Sequence, residues 1–388
     1  MKKITIFAAI ALAVLSLTGC NKYARNIESF EADMKALLDS CDYTGLSVVV
    51  VKDNKIIYNN NYGVKDLETG EPVDDQTLFR IASISKSFTS TSLQQLIDQG
   101  KVSLDTDVSE LAGFTIRNPK YPDTPITLEM LLSHTSSISD SNGYFSLDVI
   151  NPDVNPDWQG AYADYAPGGK YEYVNLNFNL CGTFLEKLSG ERFDQYIVHH
   201  ILDPLGLYGG YCVDSLDAGR FAQLYTWSNS KQGFIKQDEA YEPRSEKIAN
   251  YRFGYDAPLF SPTGGMKISA LDLAKYMIMH MNYGYSPLAD VRIIPEERSR
   301  DMQTPRSDDE NYGLALWRDS SYTGDNTELV GHTGGAYGLR TAMFFNPEEK
   351  YGFVVFSSGW HNTKKGLGNP LHAIVPIMYR NFIASESK

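Results

Sequence analysis

A serine and a lysine three positions apart, Ser83 and Lys86 in the stretch Ser83-Ile84-Ser85-Lys86, are the residues whose types and spacing first point to chemistry. A strand-like segment, Thr77 to Ala82, gives way to a helix here. With Ser83 opening that helix, Lys86 falls on nearly the same face. A serine hydroxyl is a poor nucleophile near neutral pH and needs a base within hydrogen-bond reach. A lysine one turn away is such a base, or tunes one. The helix N-terminus adds unpaired N–H groups and a partial positive charge where an oxyanion would form. S-x-x-K alone is common and reads equally well as a capped helix start with an exposed lysine, so two further motifs decide the matter.

The first is Tyr173-Val174-Asn175, a Y-x-N between a long loop and a helical stretch. A phenol held near a lysine can pass a proton between nucleophile and leaving group. Asn175 carries both an amide donor and an acceptor, suited to orienting a substrate carbonyl or amide. The second is His332-Thr333-Gly334-Gly335, just before a C-terminal hairpin. Glycines on an edge strand allow close approach of a ligand to the backbone, where an N–H can serve as a second oxyanion donor.

The elements that must position these residues come from both ends of the chain. Glu28 to Ser40 has Phe30, Met34, Leu37 and Leu38 at helical spacing. Leu46 to Val51 and Ile56 to Tyr62 read as strands joined by the turn Lys52-Asp53-Asn54-Lys55. Thr341 to Phe345 and Gly352 to Ser357 form a second hairpin around Asn346-Pro347-Glu348-Glu349, and Leu371 to Ile383 closes the chain as a helix. The middle reads mainly helical, over 87–99, 128–133, 176–188 and 193–200. The fold class is therefore α+β. One lobe, residues 28–82 and 255–388, is an antiparallel sheet flanked by helices, and residues 83–254 are an inserted, mainly helical lobe. Residues 142–169 form a long loop rich in Pro, Gly, Asn and aromatics, whose aromatic side chains either pin the loop or meet a substrate.

Ahead of this body, residues 1–19 read as an export signal. Lys2 and Lys3 precede an apolar run, Ile4 to Leu17, too short to span a membrane. The run ends in Leu17-Thr18-Gly19-Cys20, the form of a bacterial lipobox, so Cys20 is the expected site of lipid attachment and 20–27 a short tether. The expected location is a membrane face outside the cytoplasm. Losing Lys2 and Lys3 takes the net charge from −13 to −15, which disfavours nucleic acid as a partner and gives no electrostatic help toward anionic lipid. Cys41, Cys181 and Cys212 remain; their odd number and lack of metal spacing argue for buried thiols.

Ser-x-x-Lys, Tyr-x-Asn and His-Thr-Gly in this order resemble the motifs of the serine penicillin-recognising enzymes. The likeness is to their class C β-lactamase and DD-peptidase branch, which also contains esterases, D-amino acid peptidases and transacylases. Leu131-Leu132-Ser133-His134-Thr135-Ser136, Asp203-Pro204-Leu205-Gly206-Leu207 and Gly264-Gly265-Met266 resemble further landmarks, and the likeness runs from about residue 30 to 383. It implies a β-lactamase/transpeptidase-like fold and neither metal nor organic cofactor. It implies Ser83 as acylated nucleophile, Lys86 and Tyr173 as proton carriers, and Asn175 orienting the donor. Backbone N–H groups of Ser83 and Gly335 would form the oxyanion hole, with His332 and Thr333 lining the cleft. The implied partner is an ester, amide or β-lactam donor; the aromatic loop from Tyr144 to Tyr171 adds, as the alternative to water, an apolar alcohol acceptor, sterol-like or bile-acid-like. His332 departs from the lysine usual in β-lactamases: a neutral imidazole supplies no permanent cation for a substrate carboxylate.

Rival readings are weaker. A Ser-His-Asp hydrolase would want a G-x-S-x-G elbow, and none is present. A zinc enzyme finds only the adjacent pair His199 and His200 and no H-E-x-x-H. A catalytically silent binding module on the same fold would be expected to lack one of Ser83, Lys86 or Tyr173, and all three are present.

Overall fold

The computed structural model describes residues 20–361 and 368–384, with side chains from residue 26 onward; the expected export signal lies outside the described residues. The elements that matter for the site are helices α1 (Cys20–Leu38), α2 (Ser85–Asp98), α3 (Asn175–Ser189), α4 (Ala270–Met281) and α5 (Pro370–Phe382). With them go strands β1 (Gly45–Lys52), β2 (Lys55–Gly63), β3 (Trp317–Asp319), β4 (Leu329–Ala336), β5 (Leu339–Asn346) and β6 (Tyr351–Ser358). These six form one antiparallel sheet in the order β3-β4-β5-β6-β1-β2. The two chain ends meet at its centre, where Val48 pairs with Val355 and Val50 with Phe353.

The sequence of β1 explains its central place. A run of four valines buries both faces, the mark of a strand covered on either side rather than one facing water. Leu46, Val48 and Val50 point to an outer layer with Phe30 and Met34 of α1 and Ile374, Met378 and Phe382 of α5. Val49 and Val51, with Val354 and Phe356 of β6, point inward to a larger core shared with Phe88 of α2, Phe178 and Phe184 of α3, and Met277 of α4. Period-two alternation thus divides one sheet between two cores. The β1–β2 turn puts Asp53 and Asn54 at φ 50° and 62°, the left-handed pair that a two-residue hairpin requires.

Some local expectations shift. The helix expected over 28–40 starts at Cys20 and takes in the stretch read as a tether; Asn21 to Ile27 holds no glycine or proline to stop it. The strand-like segment 77–82 is shorter than read: Phe79–Arg80 pair with Ile268 and Lys267 and Leu78 makes a single parallel bridge to Phe221, and Ala82 then turns at φ +50°. The helix from Phe193 is α only to Ile197, and Val198–Leu202 continues as a π turn. The long loop contains short 3-10 turns at 147–150 and 158–161 and is tied back by a bridge between Ile138 and Tyr162. Trp158 packs edge-on against Tyr162, so these two aromatics pin the loop. Cys181 and Cys212 are buried, whereas Cys41 is half-buried with its thiol on the Leu37 carbonyl.

Candidate active site

From Thr77 to Gln94 every residue is buried except Ser83. Ser83 lies in a single 3-10 turn, Ala82–Ile84, that leads into α2. The Ala82 φ of +50° is unfavourable for a residue with a Cβ. The turn is held from the sheet. Thr341 Oγ1 of β5 donates to the Ile81 carbonyl at 2.9 Å, and a Cβ on Gly334 would come within 2.2 Å of that carbonyl oxygen. Glycine at 334 is therefore what lets β4 lie against the serine turn. Since β3 pairs only with Leu329 to Gly331, the stretch Thr333–Ala336 is a free sheet edge beside Ser83, with Gly335 exposed on it.

Lys86 is fully buried. Its Nζ lies 3.3 Å from Ser83 Oγ, 3.0 Å from Asn175 Oδ1 and 3.0 Å from the Thr263 carbonyl oxygen. Burial drives its pKa well below the usual lysine range, with the Asp140 carboxylate pulling the other way. The amide and peptide oxygens can only accept, so they take two N–H groups of a neutral amine and leave its lone pair for the Ser83 hydroxyl.

Tyr173 is fixed from its neighbours. The buried His134 accepts the Val174 N–H on Nδ1 at 3.1 Å, and the Glu172 N–H donates to the His134 carbonyl at 2.8 Å. Accepting at Nδ1 assigns the proton to Nε2. His134 itself sits at φ +60°. The ring of Tyr173 stacks on Trp317 at 5.9 Å, interplanar 9°, and passes 4.6 Å from Lys86 Nζ. Burial raises the phenol pKa well above its ordinary value, while the adjacent Ser83 hydroxyl lowers it somewhat. The phenol oxygen is buried with no hydrogen-bond partner among the described residues, leaving its proton available.

Asn175 opens α3. Asp140 caps that helix from 35 residues away, accepting the backbone N–H groups of Asn175 and Leu176 and the Asn175 side-chain amide, all at 2.9–3.0 Å. Asn175 Oδ1 also receives Thr263 Oγ1 at 2.8 Å. The asparagine thus positions Lys86 with its carbonyl and keeps part of its amide for a ligand. His332 is buried; its Nε2 faces the Tyr312 hydroxyl at 3.2 Å and its Nδ1 the Thr333 carbonyl. Burial pushes its pKa down to about 3, so it is neutral in working conditions, in keeping with the departure read from the sequence. Thr333 is half-buried on the same strand.

The structure therefore brings Ser83, Lys86, Tyr173, Asn175, His332, Thr333 and Gly335 to one place. Sequence reasoning missed Asp140, Thr263, Tyr312 and Trp317. Only Asp140 left a signal: Val174, before α3, cannot cap it, so an acceptor had to come from elsewhere. Among the described residues no group of His, Cys, Asp or Glu is arranged to hold a metal, and His199 and His200 both turn to Glu191. Cys20 begins α1, with its side chain outside those described.

A cavity of about 450 Å³ opens beside this group, lined among others by Arg80, Phe145, Arg244, Tyr255, Ser261 and Tyr337. Ser261 and Tyr337 have φ of +56° and +53°, so strained backbone gathers on this side of the molecule as well.

Comparison with known proteins gives a consistent picture. The family model described as Beta-lactamase matches residues 30–375. Protein flp of Staphylococcus aureus (strain MW2) is 24% identical over 327 residues, which cover 81% of this chain and 59% of that protein. Penicillin-binding protein 4 of Amycolatopsis lactamdurans is 28% identical over 58% of this chain and 56% of its own length. This chain thus spans little more than half of either relative. Among solved structures, the octameric penicillin-binding protein homologue of Pyrococcus abyssi superposes with a TM-score of 0.67 at 25% identity, over 95% of this chain and 78% of that one. EstCE1, described as a hydrolase with promiscuous acyltransferase activity, superposes at 0.69 with 20% identity over 92% and 99%; at that identity the likeness speaks for the fold.

Proposed function

Since the chain belongs to the β-lactamase family, we propose that it is a serine hydrolase forming an acyl-enzyme on Ser83 from an ester or amide donor. The observation that carries this reading is the placement of Ser83: it alone in Thr77–Gln94 is not buried, with the Lys86 amine 3.3 Å from its oxygen. In the proposed step Ser83 Oγ bonds the donor carbonyl carbon as its proton moves to Lys86 Nζ. The oxyanion that forms lies against the backbone N–H groups of Ser83 and Gly335. The carbonyl–heteroatom bond then breaks, the leaving group taking the Tyr173 proton, which Lys86 replaces. Water, activated in the reverse sense, releases the acid and restores Ser83. The direction of both shifts favours Lys86 as base and Tyr173 as acid.

An alcohol in place of water would make the protein an acyltransferase. The exposed ring of Phe145 at the cavity supports an apolar acceptor, whereas Trp158 and Tyr162 are spent on each other. One experiment addresses both outcomes: intact-mass measurement after exposure to a fluorophosphonate, a β-lactam, a D-Ala-D-Ala peptide and nitrophenyl esters, with and without alcohols. An adduct on Ser83, absent in Ser83→Ala, is expected. Its faster loss to an alcohol, with the new ester formed, would mark transfer. No adduct from any donor would turn the reading to a silent binding module of the same fold. We also propose lipid anchoring through Cys20 outside the cytoplasm, from the Leu17–Cys20 motif; Cys20→Ala should move the protein from membrane to soluble fraction and abolish palmitate labelling.

A further inference from the structure

The cavity beside Ser83 contains a charge that the proposed mechanism does not use. Arg80 is 7% exposed, three residues before Ser83, and lines that cavity. Its Nε donates to the Gly264 carbonyl at 3.0 Å and its Nη1 to the Ala240 carbonyl at 3.2 Å, and its guanidinium carbon lies 5.0 Å from the centre of the Tyr337 ring. Among the described residues no carboxylate stands within ion-pair distance of it, in a chain with 48 acidic residues. A buried charge is normally paired, since an unpaired one forfeits several kcal/mol of hydration. Its cross-strand neighbour Lys267 avoids that penalty. Burial drives the Lys267 pKa far down, and the neutral amine donates to the Tyr211 carbonyl at 2.6 Å. A guanidinium has no such escape and stays charged.

The other cavity charges leave this position open. Glu242 on the rim is taken up by Arg244 at 2.6 Å and Lys247 at 3.2 Å, and Asp256 by Arg252 at 2.8 Å; Glu239 is exposed. The cavity wall thus presents Arg80 without a carboxylate partner, together with Arg244, which is already paired with Glu242. The cavity adjoins the serine site through its wall residues. Ser261 on its wall accepts the N–H groups of Gly264 and Gly265, Gly264 lies against Ala82, and Tyr337 sits two residues beyond Gly335. His332, at the position where a permanent cation would be sought, is neutral.

We propose that Arg80, assisted by Arg244, forms a carboxylate-binding subsite in this cavity, and that the donor acylating Ser83 carries a carboxylate on the part that enters it. The inference rests on the acyl-enzyme reading above. A planar guanidinium with unused N–H groups matches a carboxylate in geometry as well as charge.

The test compares p-nitrophenyl hydrogen glutarate and adipate with the matching monoamide esters, which keep size and leaving group but lack the charge. The wild-type protein should favour the acids in kcat/KM by roughly tenfold or more, as a charge-assisted hydrogen-bonded contact implies. The ratio of acid to amide should fall toward one in Arg80→Gln, recover partly in Arg80→Lys and drop less in Arg244→Gln. A wild-type protein that prefers the amides, or a ratio unchanged in Arg80→Gln, overturns the subsite. Should Arg80→Gln not fold, free glutarate is used to protect wild-type Ser83 from a neutral fluorophosphonate. Protection that weakens in Arg244→Gln supports the subsite, and absence of protection overturns it. Labelling of Ser83 without any acid preference defeats the subsite alone; no labelling at all defeats the acyl-enzyme reading with it.

Discussion

The two layers on either side of the sheet are built from opposite materials. The outer layer joins α1 and α5 to the sheet by apolar contact: Phe30, Met34, Tyr58, Met378 and Phe382 are buried, and the rings of Phe30, Tyr58 and Phe382 meet within 5.3 Å of one another. The inner layer is centred on α2, which is equally buried yet carries Ser85, Lys86, Ser87, Thr89, Ser90, Thr91, Ser92 and Gln94. These side chains bond to fixed points. The Met266 N–H donates to Ser85 Oγ, Thr89 donates to the Pro262 carbonyl, Ser90 donates to the Leu314 carbonyl, and Thr91 faces the Tyr276 hydroxyl. Apolar burial is non-directional and holds a layer in place; hydrogen bonds are directional and set atoms to within tenths of an ångström. The outer layer is suited to stability and the inner one to aim.

That division can be broken by experiment. The largest effects belong to the inner layer and to rate. Lys86→Ala and Tyr173→Phe should each lower the acylation rate by about 10²–10⁴ with little change in the thermal midpoint, and the double variant should lose far less than the product of the two. Stopped-flow acylation alongside melting curves checks this; additive losses would separate the two groups. Next comes the outer layer. Phe30→Ala should lower stability by about 3–5 kcal/mol in urea unfolding while turnover per folded molecule holds; a large fall in kcat would mean the outer layer also aims the site. The smallest effect is with pH. His280 and His332 of the inner layer have pKa values pushed down to about 3 by burial, and His134 lies well below the usual range. Each is neutral when folded but takes a proton near its ordinary pKa when unfolded. Their contribution is therefore full above about pH 6.5 and declines as pH falls toward 3. The thermal midpoint should drop between pH 7 and 5.5, and drop less in His280→Gln.

The outer layer and both hairpins were legible in the sequence because their signals are local: helical spacing in Phe30–Leu38, a valine run, and Asp53-Asn54 at a turn. The serine, tyrosine and histidine motifs were legible as motifs. What supports them was not, since it depends on pairs far apart in the chain. Asp140 caps a helix that begins at Asn175, Thr263 receives the Lys86 amine, and Trp317 stacks on Tyr173. Residues 77–82 read as longer than they are by their β-branched and aromatic content, because tertiary packing allowed pairing only over Leu78–Arg80 before a turn.

The pairing of β1 with β6 has a consequence in time as well as space. Residues 45–52 wait for 351–358 before the sheet acquires its middle, the kind of long-range closure that slows folding. A ribosome making this chain finishes β1, β2, the serine turn and α2 long before β3 to β6 exist. Any product ending short of Tyr351 would leave the valine strand with one edge uncovered and the serine turn without the β4–β5 edge in its finished sheet. Assembly is thus gated by completion of translation, and a nascent or truncated chain holds the reactive residues without the means to align them.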